Sequence, residues 1–111
     1  MDNNKDDVYY IERIIKDIDF VISHMKGKSF DDLSKDEVLV DSIMFRFIQI
    51  AENAHELSDS FLLKTEKLPW KQLRGIRNRI VHAYDVVRAD IVYETVKNDL
   101  KQFRDELSKY R

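Results

Sequence analysis

Cysteine is absent from this chain, which excludes disulfides and thiolate metal sites. Proline occurs once, at Pro69, and glycine twice, at Gly27 and Gly75, so little punctuates the backbone. No apolar run approaches membrane-spanning length, and no secretory pattern opens the sequence, which leaves no membrane role and the cytoplasm as the expected location. Neither charge sign dominates: 19 Lys and Arg face 21 Asp and Glu, for a net charge of -2. That balance argues against coating a long duplex by charge alone, since such binding needs many phosphate contacts. Phosphate-cradling glycine loops, a G-x-S-x-G elbow and H-x-x-x-H pairs are all missing, so nucleotide triphosphate hydrolysis, serine hydrolase chemistry and a histidine metal site lack support. No cofactor is expected.

What remains is helical spacing. Glu, Lys, Leu, Ile and Asp recur at intervals of three and four, and no segment alternates like a strand, so the 111 residues read as one all-α domain. A chain this short gains from dimerisation, because its interior is small relative to its surface. A first helix is expected over 7–26, with Ile11, Ile14, Ile15, Ile18, Val21, Ile22 and Met25 as its apolar stripe and Gly27 as its stop. Ser34-Lys35-Asp36-Glu37 has the S-x-x-E form that satisfies free backbone N–H groups, predicting a second helix over 34–58. Its apolar positions, from Val38 and Val40 through Phe45, Phe47 and Ile48 to Leu57, spread beyond one stripe. They fit either the centre of a bundle or a helix buried on one side by the core and on the other by a second subunit. Pro69 suits the first turn of a third helix, where its missing N–H costs nothing. A last helix over 88–109 turns Val92, Val96, Leu100, Phe103 and Leu107 inward. Residues 1–6 are polar enough to fray.

The third helix carries the chemistry. Between positions 67 and 84 stand Lys67, Lys71, Arg74, Arg77 and Arg79 without one carboxylate, and this local reversal of sign suits an anionic ligand. Arg77 and His82 stand at R-x-x-x-x-H spacing, with Tyr84 two residues beyond. Histidine titrates near neutrality and can move a proton to or from a sugar hydroxyl. Arginine stays charged, and its planar fork fits two phosphate oxygens. In RNA the 2′-hydroxyl is an internal nucleophile, so an anion clamp and acid–base help suffice without a metal ion. Each residue also has a plainer reading: a histidine at a helix end caps carbonyls, and an arginine on a helix solvates its surface. Five residues turn two side chains roughly 140° apart on an ideal helix. Arg77 must then reach around, the helix must distort near Gly75 or end before His82, or two subunits must pool their residues about a two-fold axis, the arrangement favoured here.

Asn78, four residues before His82, lies on nearly the same face and can orient the imidazole, touch phosphate, or simply be solvated. Arg74 and Arg79 add phosphate contacts or are solvated helix charges. Tyr84 offers stacking, a hydroxyl for modification, or half-buried packing. Arg46 and Glu52 are interface polar groups or accessories near the cleft. His24 and His55 stand apart, and Asp31-Asp32 and Asp36-Glu37 are explained by negative charge near helix starts.

With these residues in view, the chain resembles the HEPN superfamily, specifically the short HepT-like toxins of bacterial and archaeal two-gene modules. The resemblance rests on Ile48-Gln49-Ile50-Ala51-Glu52-Asn53-Ala54, then on Leu68-Pro69-Trp70 through Arg74-Gly75-Ile76-Arg77-Asn78 into Ile80-Val81-His82-Ala83-Tyr84, and it spans essentially the whole chain. It implies an antiparallel up-and-down bundle of four to five helices, in one domain over 1–111, that forms a homodimer or a higher oligomer with the motif lining the interface. It implies a metal-independent endoribonuclease acting on RNA, the toxin of a type VII-like toxin–antitoxin module. Arg77 and His82 match the catalytic pair, and Asn78 matches the polar position after the arginine. Tyr84 matches the tyrosine to which an MntA-type minimal nucleotidyltransferase adds AMP. Bulky anionic nucleotides two residues from His82 would fill the cleft and repel phosphate. The competing expectation is a non-catalytic partner that presents Tyr84 and the basic face to such a transferase.

Overall fold

Asp6 opens the first helix, α1 (Asp7–Met25), by accepting a hydrogen bond from the Tyr9 backbone at 3.1 Å, the ordinary way to satisfy a free N–H of a first turn. In this computed structural model, which describes residues 6–83 and 89–111 with only the backbone of Asp99, every regular element among the described residues is helical. Ile11, Ile14, Ile15, Ile18, Val21 and Met25 of α1 are buried as one stripe. Gly27, at φ +75°, makes the left-handed turn that ends it, a conformation that costs other residues a steric penalty.

The next segment departs from the expectation drawn at Ser34. The reciprocal capping box is formed by Ser29 and Asp32, with both bonds at 3.0 Å, and it opens a short helix, α2 (Phe30–Ser34). Ser34 closes that helix, its hydroxyl donating to the Asp31 carbonyl at 2.9 Å. The long helix α3 (Glu37–His55) is capped instead by Asp36, whose carboxylate accepts from the Leu39 N–H at 3.0 Å. Asp36 wins because it stands directly before the first helical residue, where its oxygen reaches the third N–H of the helix.

After α3 comes α4 (Asp59–Lys64), a further short helix in the stretch between the second and third expected helices, where none was expected. Then follow α5 (Trp70–His82), α6 (Ala89–Thr95), a π-helical turn (Val96–Leu100) and α7 (Lys101–Ser108). The last three form one continuous helical run over 89–108, close to the single expected helix but with a π-turn inside it. Pro69 immediately precedes α5. Trp70 ties the entry to that helix, its indole N–H donating to Thr65 O at 3.2 Å and Thr65 Oγ1 at 3.1 Å.

Polar ties fix the directions of the long helices. Asp7 accepts from Ser58 at 2.7 and 2.8 Å, Arg13 donates to Asn53 at 3.2 Å, and Arg46 donates to Asp17 at 2.7 Å. As the partner on α1 advances, the partner on the α3 side retreats, so α1 and α3 are antiparallel. Arg104 of α7 grips Asp19 through two bonds, and Arg111 lies 3.7 Å from Glu12, which makes α7 antiparallel to α1 as well. The core between them is contributed by α1, by Ile43, Met44, Phe47, Ile50 and Ala54 of α3, by Leu73 and Ile80 of α5, and by Val92, Leu100, Phe103 and Leu107 of the last run. Among the described residues four long helical runs and two short helices make the fold all-α, with more elements than the four to five helices expected. Tyr84, the start of the last helix at Arg88, and residues 1–5 lie outside the described residues.

Candidate active site

On α5 the apolar residues Leu73 and Ile80 face the core, while Trp70 and Ile76 are half-buried against it. That choice of inward face sets the rest of the helix. Arg74, Asn78, Arg79 and His82 are exposed, and Arg77 stands at the border, half-buried. At this border α5 meets α3, and the Arg77 Nε–H donates to Glu52 Oε1 at 3.0 Å. A second N–H of the guanidinium donates to Asn78 Oδ1, also at 3.0 Å. Two of its five N–H groups are thereby committed. The two bonds hold the plane of the fork, and three of its N–H groups remain for an oxyanion.

The window of α5 that carries no acid in sequence is therefore not free of acid in space, because Glu52 arrives from α3. The Glu52 carboxylate is half exposed, with 51% of its side chain accessible against 33% for Arg77. An exposed pair of this kind contributes little to stability, and its effect is to hold the arginine in one orientation. Sequence reading had Glu52 only as an interface group or an accessory. The signal that singles it out is Ile48-Gln49-Ile50-Ala51-Glu52, where a carboxylate follows a stretch rich in apolar residues and free of charge.

His82 is the last residue of α5 and is exposed at its C-terminal end. The helix runs unbroken through Gly75 to His82, so neither a distortion at the glycine nor an early end brings His82 round to the side of Arg77. Within one chain the two side chains stay on different sides of α5. The Asn78 amide, one turn before His82, gives its oxygen to Arg77. Arg74 and Arg79 do not act together: Arg74 flanks the Arg77 side, whereas Arg79 lines a cleft on the other side, between α5 and the last helical run. Arg46 is no part of the arrangement. It is paired with the buried Asp17 at 2.7 Å, and its guanidinium lies 3.8 Å over the Phe20 ring, which makes it a cross-link between α1 and α3.

Next to the Glu52–Arg77 pair runs an apolar strip that is exposed among the described residues. Val38 is 77% and Phe45 55% exposed, and with half-buried Ile48 they lie on the face of α3 that leads to Glu52, at spacings of seven, three and four residues. Val81, one turn after Arg77, is 46% exposed. One apolar side of α3 thus lies in the core and the other is open, which sets aside the centre of a bundle as the reason for its two apolar sides.

Among the described residues no group of three or more His, Asp or Glu side chains is placed to hold a metal ion, and no helix is long and apolar enough to cross a membrane.

Residues 11–110 match the family described as Ribonuclease HepT-like. A protein of Caldanaerobacter subterraneus subsp. tengcongensis, named as a proposed RNase, is 32% identical over 98 residues, covering 88% of each chain. A protein of Thermococcus cleftensis named as a probable ribonuclease HepT is 22% identical, over 92% of this chain and 93% of the other. A Methanocaldococcus jannaschii protein, likewise named as a proposed RNase, is 23% identical, over 91% of this chain and 87% of its own. No solved structure matches the chain with significance.

Proposed function

The chain belongs to the HepT-like ribonuclease family, and from that membership we propose that it is a metal-independent endoribonuclease whose working site is completed by a second copy of itself. One observation carries the reading: Arg77, held in plane by Glu52 and Asn78 with donors still free, stands at the edge of an uncovered apolar strip, while His82 lies on another side of the same helix. In this reading a second chain seated on Val38, Phe45 and Val81 covers that strip, and the two-fold arrangement gathers the arginines and histidines of both protomers about one cleft. Arg77 then grips the scissile phosphate and neutralises charge gathering on it. One imidazole takes the proton of the 2′-hydroxyl as its oxygen attacks phosphorus. The bond from phosphorus to the 5′ oxygen breaks, and the second imidazole, as imidazolium, protonates that oxygen. The products are a 2′,3′-cyclic phosphate and a free 5′-hydroxyl.

In the same reading the protein is the toxin of a two-gene module, and Tyr84 is where a cognate nucleotidyltransferase adds AMP to silence it. His82→Ala is expected to abolish both RNA cleavage in chelator and growth inhibition, with the helical circular dichroism spectrum unchanged. Cleavage that survives in the folded variant overturns the assignment of His82. Protein that binds the transferase yet never cuts RNA, even when unmodified, favours a purely regulatory partner. The mass of protein coexpressed with the transferase checks Tyr84 directly.

A further inference from the structure

Gly75 occupies an exposed position in the middle of α5, and a Cβ placed there would meet nothing within 4 Å. Nothing inside the described chain requires a glycine at this point. Its φ is not in the left-handed region, the helix does not break, and no neighbour approaches. A mid-helix glycine is unfavourable compared with alanine, so the bare backbone fits close approach by something from outside the chain.

What it faces is a cleft of about 800 Å³ between α5 and the last helical run, within the range of small-molecule sites. Leu73, Ile76 and Phe103 form its apolar floor. Glu94 and Glu106 line it as well; these carboxylates accept hydrogen bonds and repel phosphate. Lys67 and Arg79 stand among the lining residues as cations. The wall opposite α5 contains the π-helical turn Val96–Leu100, a local widening of a helix that recurs at functional sites. On the helical wheel Gly75 and His82 are seven residues apart, hence within about 20° of each other and about 10 Å along the axis. The cleft therefore adjoins the His82 side of α5, not the Arg77 side.

The geometry points to a base-recognition pocket: the α5–α7 cleft takes one nucleobase of the RNA strand whose phosphate is cut beside His82. This rests on the ribonuclease reading. A flat base packs on the apolar floor and slides past Gly75 without meeting a side chain, and Arg79 holds the adjoining phosphate outside. The lining also carries donors in Lys67, Gln72, Asn98 and Gln102, and Glu106 already accepts from Lys109 Nζ at 3.1 Å; Glu94, an acceptor only, is what favours a base with an exocyclic amino group, namely adenine, cytosine or guanine, over uracil.

The test uses the full-length protein and RNA oligonucleotides randomised at the positions flanking the cut. Wild type is expected to select against uridine at a single flanking position, about tenfold or more in kcat/KM. Gly75→Leu, which projects a side chain into open space and suits a helix, is expected to erase that selection. Gln72→Ala, at the cleft wall, is expected to weaken it and serves if the leucine variant fails to fold. Independently, CMP and UMP are titrated into the His82→Ala protein while the Gly75 amide signal is followed by NMR. CMP should shift it at lower concentration than UMP. Wild-type cleavage with unchanged selection in both variants, or with no shift at Gly75, overturns the pocket and leaves the nuclease reading standing. Absence of cleavage together with CMP shifts at Gly75 overturns the nuclease reading and leaves a nucleotide site. Variants that lose transferase binding but keep base selection assign the cleft to a protein partner and overturn the proposal.

Discussion

Two arginine–carboxylate pairs in this molecule are chemically alike and do different things. Arg46 and Asp17 join α3 to α1 at 2.7 Å, with 9% of the Asp17 side chain accessible and the guanidinium laid on Phe20. Arg77 and Glu52 join α5 to α3 at 3.0 Å, with half of the Glu52 side chain open to solvent. In the first, burial makes each charge dependent on the other, and losing one strands its partner in a poorly solvated place. In the second, water screens the carboxylate, so little stability is at stake and the arginine remains available to a ligand. The position of the carboxylate, more than the bond length, separates a structural cross-link from an arginine open to solvent, the one proposed above to hold an anion.

The contrast breaks first where the effects are largest. Arg77→Ala is expected to lower RNA cleavage by about a hundredfold or more, as removal of a preorganised charge-stabilising donor does, with a denaturation midpoint near that of wild type. Arg46→Ala is expected to destabilise the fold by about 2 kcal/mol or more in urea unfolding, since it leaves Asp17 buried and unpaired. Equal stability losses in the two variants would erase the distinction. Glu52→Gln comes next: the guanidinium loses its charged anchor, and kcat falls by about tenfold through misorientation, while stability changes by less than about 1 kcal/mol. A Glu52→Gln enzyme as fast as wild type would show that Asn78 alone orients Arg77.

Gly75→Ala sharpens the picture in the opposite direction. With open space around the added Cβ, the substitution should raise stability by about 1 kcal/mol, measured by urea unfolding. The smallest effect concerns the cap of α2. The Asp32 carboxyl is held below its ordinary value, chiefly by the Ser29 backbone N–H and then by the Ser29 hydroxyl. A carboxyl depressed on folding adds stability that is full above its unfolded value and is lost as pH falls through the folded one. An NMR titration of Asp32 should therefore show a midpoint below that of an ordinary aspartate, and Ser29→Ala should move it upward.

Much of this was written in the spacing of apolar residues. Ile11 to Met25 and Val92 to Leu107 name the buried faces of the first and last helical runs because a packed bundle rewards one continuous stripe. Local capping chemistry was less legible: Ser34-x-x-Glu37 and Ser29-x-x-Asp32 both offer a serine three residues before an acid, and the chain folds with the second. The π-turn at Val96–Leu100 has no residue signature here, since it records how a helix settles against its neighbours. At the site, the wheel angle between Arg77 and His82 was readable from five intervening steps and a straight helix. The Glu52–Arg77 contact was not, because it joins positions 25 residues apart and depends on how α3 and α5 are rotated against each other.

That rotation is governed at one corner. Trp70 hangs its indole on Thr65 through two hydrogen bonds, its ring lies edge-on to Phe61 and Phe103, and Pro69 stiffens the step between. The corner works as an indexing pin for a shaft: α5 enters the bundle at one angular setting, and every side chain along it inherits that setting. Slipping the pin by a single residue would swing each position by about 100°, carrying Arg77 away from Glu52 and turning Gly75 out of its hollow. A tryptophan at the entry of the helix thus sets the aim of both its flanks at once.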